Sequence, residues 1–218
     1  MIITVKGLTY AVYDSGGISS AVVYETGKQL ENLTVKADIN FEYAEGSDYA
    51  DGIRIAHKKK MTGANVAFEL SDLPDDVKSD WFDWEADDND FLITEADPHT
   101  IGVGFYFWEE TPVTEADKYC AYWVYKAKFA PDSISGGTSN DSISYQHHNV
   151  TGLAEGIKVE EGGKAIFVKV SEDFDTEAEA IAWLKTEANI QAESTTPANG
   201  GETPAAGGGE TPAAGGGG

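Results

Sequence analysis

The chain has 218 residues, with 38 Asp and Glu against 15 Lys and Arg, for a net charge of −23 at neutral pH. That balance repels phosphates and anionic lipid, because the electrostatic part of nucleic-acid affinity comes from Lys and Arg displacing counterions, and it argues against tight DNA binding. The length allows a real hydrophobic core, the single cysteine rules out an intrachain disulfide, and no stretch approaches the roughly 18 apolar residues of a membrane span.

Along the chain, the N-terminus MIITVKGLTYAVYD lacks the basic region, long apolar run and small-residue cleavage site of a signal peptide. Short strands are expected at 8–13 and 20–25. The clearest period-two stretch follows, LTVKADINFEY: Leu33, Val35, Ala37, Ile39, Phe41 and Tyr43 take one face, and Thr34, Lys36, Asp38, Asn40 and Glu42 the other. It reads as a long strand with one dry and one wet face. After an acidic turn, a short strand is expected at 52–56. GANVAFEL then repeats the alternation with Ala64, Val66, Phe68 and Leu70 inward. Pro74, Asp75 and Asp76 make a good first helical turn, with Val77, Trp81 and Trp84 following on one face.

TIGVGFYFWEE places Ile101, Val103, Phe105 and Phe107 inward, whereas KYCAYWVYKAKF is apolar on both faces at first and should lie between two layers, with Cys120 as a small packed residue. DSISYQHHNV and GKAIFVKV complete a mainly antiparallel set. A second helix is expected from about Thr176 to Glu187, with capping-box spacing between Thr176 and Glu179 and a buried stripe of Ala178, Ile181, Leu184 and Ala188. Strands with two packed helices predict a mainly β, α+β domain over residues 1–190, an antiparallel sandwich or open barrel with one or two flanking helices.

From about Gln191 the composition changes to Gly, Pro, Ala and Thr, with GETPAAG at 201–207 and again at 209–215. Without large apolar residues to offset ordering entropy, residues 191–218 are expected to be a disordered tail. With Glu193, Glu202 and Glu210 set aside, 35 acids still face 15 bases, so residues 1–190 carry −20.

The motifs that suggest chemistry do not hold up. The acidic run Asp83–Asp90 lacks the turn Gly and terminal Glu of an EF-hand. His147 and His148 are adjacent in a strand and point to opposite faces, which prevents a shared metal. GVGFYF lies within a strand pattern and has no third Gly opening a helix. No Ser/His/Asp set has a nucleophile-elbow context. Neither catalysis nor a cofactor is expected. Five Trp and ten Tyr would suit a carbohydrate-binding module, but most alternate with apolar residues inside strands, where packing explains them. The one basic cluster, His57-Lys58-Lys59-Lys60, reads as a solvated turn or edge strand.

The order GLTYAVYD, GKQLENLTVKADINFEYAEGSDYADG, TGANVAFELSDLP, IGVGFYF, YWVYKAKFAP and DSISYQHHNVTGLA, covering about residues 1–190, resembles the major tail protein, or tail tube protein, of long non-contractile-tailed bacteriophages, particularly those of Gram-positive hosts. The resemblance implies a β-sandwich with a flanking helix and hexameric rings stacked into a tube through which DNA leaves the capsid. It also implies a place in the virion tail, after synthesis in the host cytoplasm, beside a tape measure protein and a tail terminator. On that expectation Thr34, Lys36, Asp38, Asn40 and Glu42 face the lumen, where acidic residues give DNA no phosphate clamp, and reversing Asp38 and Glu42 to Lys slows ejection. The segment AEGSDYADGIRIAHKKK then bridges rings, through Asp48, Tyr49, Asp51, Lys58, Lys59 and Lys60. A tail terminator, a contractile-system tube or a non-catalytic carbohydrate-binding sandwich are the other readings of the same texture.

Overall fold

Long runs of alternating apolar side chains, rich in aromatic and β-branched residues, make this chain mainly β. The structure, a computed structural model, describes residues 2–87, 90–93, 95, 97–111, 116–131 and 146–190. The strands are β1 (Ile2–Ser15), β2 (Val23–Tyr24), β3 (Lys28–Gln29), β4 (Thr34–Ala50), β5 (Ile53–Leu70), β6 (Glu85–Asp87), β7 (Asp90–Leu92), β8 (Thr100–Thr111), β9 (Ala116–Pro131), β10 (His148–Ala154) and β11 (Val168–Val170). Two helices, α1 (Asp75–Phe82) and α2 (Glu177–Glu187), accompany them. The main sheet runs β2-β1-β8-β9-β10-β5-β4, with β3 on β1 and β11 on β9, all antiparallel, and it is not closed into a barrel. Among the described residues no helix is long and apolar enough to cross a membrane.

The centre of the molecule is both layers of β8 and β9, as the two-sided apolarity of KYCAYWVYKAKF anticipates. On one side Trp81 of α1 is fully buried against Phe129 (ring centroids 4.9 Å apart), Tyr10 (5.6 Å) and Phe68 (6.1 Å), within a core that also holds Leu8, Val66, Ile101 and Val124. On the other side Trp123 packs with Ala180 and Leu184 of α2, and its Nε1 donates to the Tyr24 hydroxyl at 3.1 Å. The glycines of IGVGFYF now have a packing role. A Cβ at Gly102 would come within 2.6 Å of both Trp123 and Tyr24, and one at Gly104 within 2.6 Å of Trp123 and Leu184. The indole and α2 sit directly on the β8 backbone because these positions have no side chain.

Both helices differ in detail from expectation. In α1, Val77 and Trp81 are buried as predicted, but Asp83 adopts a left-handed C-cap (φ 53°) and turns the chain. Trp84 therefore lies beyond the helix, and Phe82 takes the third buried place. The capping box of α2 is present, with Thr176 Oγ1 accepting from Glu179 N at 3.3 Å and Thr176 N donating to the Glu179 carboxylate at 3.1 Å. Its buried row is Ala180, Leu184 and the C-cap Ala188, with Ile181 partly covered. Ala178 is exposed, because the helix is rotated to seat Ala180 against the sheet. GKAIFVKV contributes only the three residues of β11 and an isolated bridge between Ile157 and Ile166. The first part of DSISYQHHNV, at 141–145, and the Gly/Thr-Pro tail at 191–218 lie outside the described residues.

Candidate functional site

The segments expected at 33–43, 52–56 and 64–70 form one feature, a hairpin of two very long strands. β4 and β5 pair from Thr34↔Leu70 to Ala50↔Ile53, with an extra residue at Val35 in β4 and at Thr62 and Ile55 in β5, closed by Asp51 (φ 50°) and Gly52 (φ 78°), whose positive φ values suit a primed two-residue turn. The other side of β5 is covered by β10 only between Leu70 and Ala64. From Gly63 to Ile53, β5 has no outer neighbour among the described residues, and β4 has none along its whole length. About ten residues per strand therefore extend past the body as a two-stranded arm, roughly 30 Å at about 3.3 Å per residue.

The arm's two faces differ. One continues the core face: Phe41 and Tyr43 follow Ala37 and Ile39, with Met61 opposite Tyr43 and packed against the core. Further out on this face the Lys59 ammonium meets the Glu45 carboxylate at 2.6 Å and lies 4.5 Å from the Tyr43 ring centroid, and Ser47 Oγ is 3.0 Å from His57 Nδ1. The hydrogen bond between them holds Glu45 below the usual carboxylate range and raises Lys59. Every residue from Phe41 to Lys60 is exposed, including Phe41, Tyr43, Tyr49, Ile53 and Ile55. The dry face read from the alternation is thus dry only near the body. Ala37 is buried and Ile39 packs on the core, whereas Phe41 is 46% and Tyr43 48% exposed.

The second face is polar. It carries Lys36, Asp38, Asn40 and Glu42, joined by Glu69 and Asn65 of β5 and by Asn149 and Thr151 of β10. Lys36 pairs with Asp38 at 2.5 Å, Asn65 donates to Glu42 at 2.6 Å, and His147 Nδ1 stands 2.7 Å from Glu69. Four of the five expected lumen residues therefore share one surface. Thr34 does not. Val35 is an extra residue between the pairs Thr34↔Leu70 and Lys36↔Glu69, and this bulge reverses the alternation. Thr34 turns to the opposite side, where it lines a cleft with Thr4, Val5 and Leu30 and its Oγ1 is buried without a hydrogen-bond partner among the described residues, while Val35 is 45% exposed.

The expected bridging residues all lie on the arm. Asp48 accepts from the Tyr49 amide at 2.9 Å, Asp51 forms the turn, and Lys58, Lys59 and Lys60 follow one another along β5. Lys59 lies on the apolar face, but Lys58 and Lys60 share the polar face with Glu42, so the lumen and bridging sets overlap on one surface. The acidic turn expected after Tyr43 is instead strand: β4 continues through AEGSDYA to Ala50, and the chain turns only at Asp51 and Gly52. The acidic run after α1 forms the small hairpin β6–β7, with residues 88–89 outside the described set.

Elsewhere polar contacts fasten the helices. Tyr10 donates to Asp80 at 2.7 Å, and Lys28 reaches Asp80 at 2.8 Å and Asp76 at 2.9 Å, tying α1 to β1 and β3. Burial pushes the Asp80 carboxyl up, but the hydrogen bonds from Lys28 and Tyr10 outweigh this and hold it below its ordinary value. Tyr106 donates a short hydrogen bond to Glu177 at the start of α2, and that bond, with help from Lys6, lowers the Glu177 pKa. Cys120 is buried in β9, where burial raises its thiol pKa, the opposite of an activated nucleophile. No protein-family model matches the chain, and no curated protein matches it.

Proposed function

We propose that this chain is a structural subunit that assembles with copies of itself, a tail tube protein of a long non-contractile-tailed bacteriophage. The observation that carries the reading is the β4–β5 arm. A two-stranded hairpin with no packed face is marginal in water, and a long unpaired edge invites strand addition. An arm of this length with exposed aromatics needs a partner, and a partner of the same kind supplies what it lacks: a neighbouring strand on each side. Head-to-tail pairing of the uncovered β5 edge of one copy with the free β4 edge of the next generates a ring when the rotation closes, and closing a sheet removes its free edges.

In such a ring the polar face of Lys36, Asp38, Asn40 and Glu42 lines the hole. Its one lysine near the body is neutralised by Asp38, so passing DNA meets hydrogen-bonding groups and net negative charge. The tape measure protein and terminator that the resemblance implies belong to the same reading. Full burial of Trp81 and Trp123 leaves fewer indoles for a sugar platform than the composition suggests.

Electron microscopy of the purified protein, beside light scattering over a concentration series, tests the proposal. Rings or tubes with a central channel are expected. Monodisperse monomers at every concentration, with a saturable Trp fluorescence change on adding soluble glycan, would replace it by the binding-module reading.

A further inference from the structure

The polar face of the arm has an unusual charge layout. Lys60 stands opposite Ala44 in the β4–β5 ladder and Lys58 opposite Gly46, while the acids Glu42 and Asp48 stand opposite Gly63 and Ala56. Each charge thus faces a small residue of its own chain. Lys58 and Lys60 have no ion pair among the described residues, in contrast to Lys59, whose carboxylate partner lies directly across on the other face. This is unexpected in a chain of net charge −23, where acids are plentiful. On this face the ribbon is basic along its β5 side and acidic along its β4 side.

We infer that these two sides are complementary between copies and set the direction in which subunits join: Lys60 and Lys58 of one subunit pair with Glu42 and Asp48 of the partner subunit. The inference rests on the self-assembly reading and names the residues that make it directional. If two arms lie side by side with their turns level, beyond the part of β5 that β10 covers, β5 of one lies antiparallel to β4 of the next. Lys60 is then abreast of the neighbour's Ala44 and diagonal to its Glu42, and Lys58 is abreast of Gly46 and diagonal to Asp48. Diagonal neighbours in an antiparallel pair are about 7–8 Å apart, within reach of a lysine side chain. Ala44 and Gly46 leave that path open. A reversed arrangement, β4 beside β4 or β5 beside β5, brings like charges together and is disfavoured. The pairing also neutralises the two lysines that would otherwise offer a phosphate clamp on this face.

The test uses two variants of the full chain, Lys58→Glu with Lys60→Glu, and Glu42→Lys with Asp48→Lys. Each alone should raise the concentration needed for assembly by at least about ten-fold, because acid now meets acid or base meets base. Mixing the two in equal amounts should restore assembly, as should all four substitutions in one chain. Unchanged thermal melts and circular dichroism would show that each variant folds. If wild type assembles and each double variant assembles equally well, or if the folded variants fail and their mixture also fails, the pairing is wrong while the self-assembly reading stands. If wild type does not assemble at any concentration, both fall together.

Discussion

The body and the β4–β5 arm are made of the same kind of sequence, alternating and aromatic, yet they differ in what surrounds them. In the body the apolar row meets a second layer: Val66 and Phe68 of β5 are buried under Trp81 and Phe129. A few residues further along the same hairpin, Phe41, Tyr43, Ile53 and Ile55 meet no second layer among the described residues and remain exposed. A strand pattern therefore specifies that a face wants covering without specifying what covers it. In the body the cover is the chain itself; on the arm the proposal is that another copy supplies it.

If that contrast holds, substitutions in the two regions separate stability from assembly. The largest loss of stability is expected from Trp81→Ala, about 3–5 kcal/mol by urea denaturation, since it empties the space shared by Tyr10, Phe68 and Phe129. A loss below about 1 kcal/mol would mean that α1 is not the centre of the core. Next comes Asp80→Asn, expected to cost about 1–2 kcal/mol at neutral pH by weakening hydrogen bonds from Tyr10 and Lys28. Because the folded carboxyl titrates below its unfolded value, the stabilisation is complete above about pH 3.9 and disappears as pH falls through the lower folded value. Denaturation curves of wild type and Asp80→Asn should thus converge in acid; a constant gap down to pH 2 would contradict the depressed pKa.

The smallest effect on stability should come from the largest deletion. Replacing residues 44–60 by an Asn-Gly turn between Tyr43 and Met61 is expected to leave the melting of the body within about 0.5 kcal/mol of wild type while abolishing rings and tubes. A strongly destabilised body would show that the arm folds back onto it, and intact tubes would place the assembly contacts elsewhere.

Some features were legible in the sequence because they depend on local periodicity and chemistry. The α2 capping box, the two-sided burial of β9 and the core positions Val66, Phe68 and Trp81 are of this kind. Others depend on long-range packing and were not. The role of Gly102 and Gly104 requires knowing that Trp123 and α2 lie across β8. The rotation that buries Ala180 instead of Ala178 depends on where α2 docks. The inversion of Thr34 follows from one extra residue, Val35, in a ladder whose partner is distant in sequence.

By itself the sequence determined that this chain builds antiparallel strands with two helices, because side-chain alternation and helix caps act between residues close in the chain. Only the tertiary structure decided that 33–43, 52–56 and 64–70 form a single hairpin reaching past the body, with Lys58 and Lys60 beside Glu42 on one face and Thr34 turned to the other. Register, bulges and unpaired edges are relations between strands, and alternation along one strand carries no information about its neighbour.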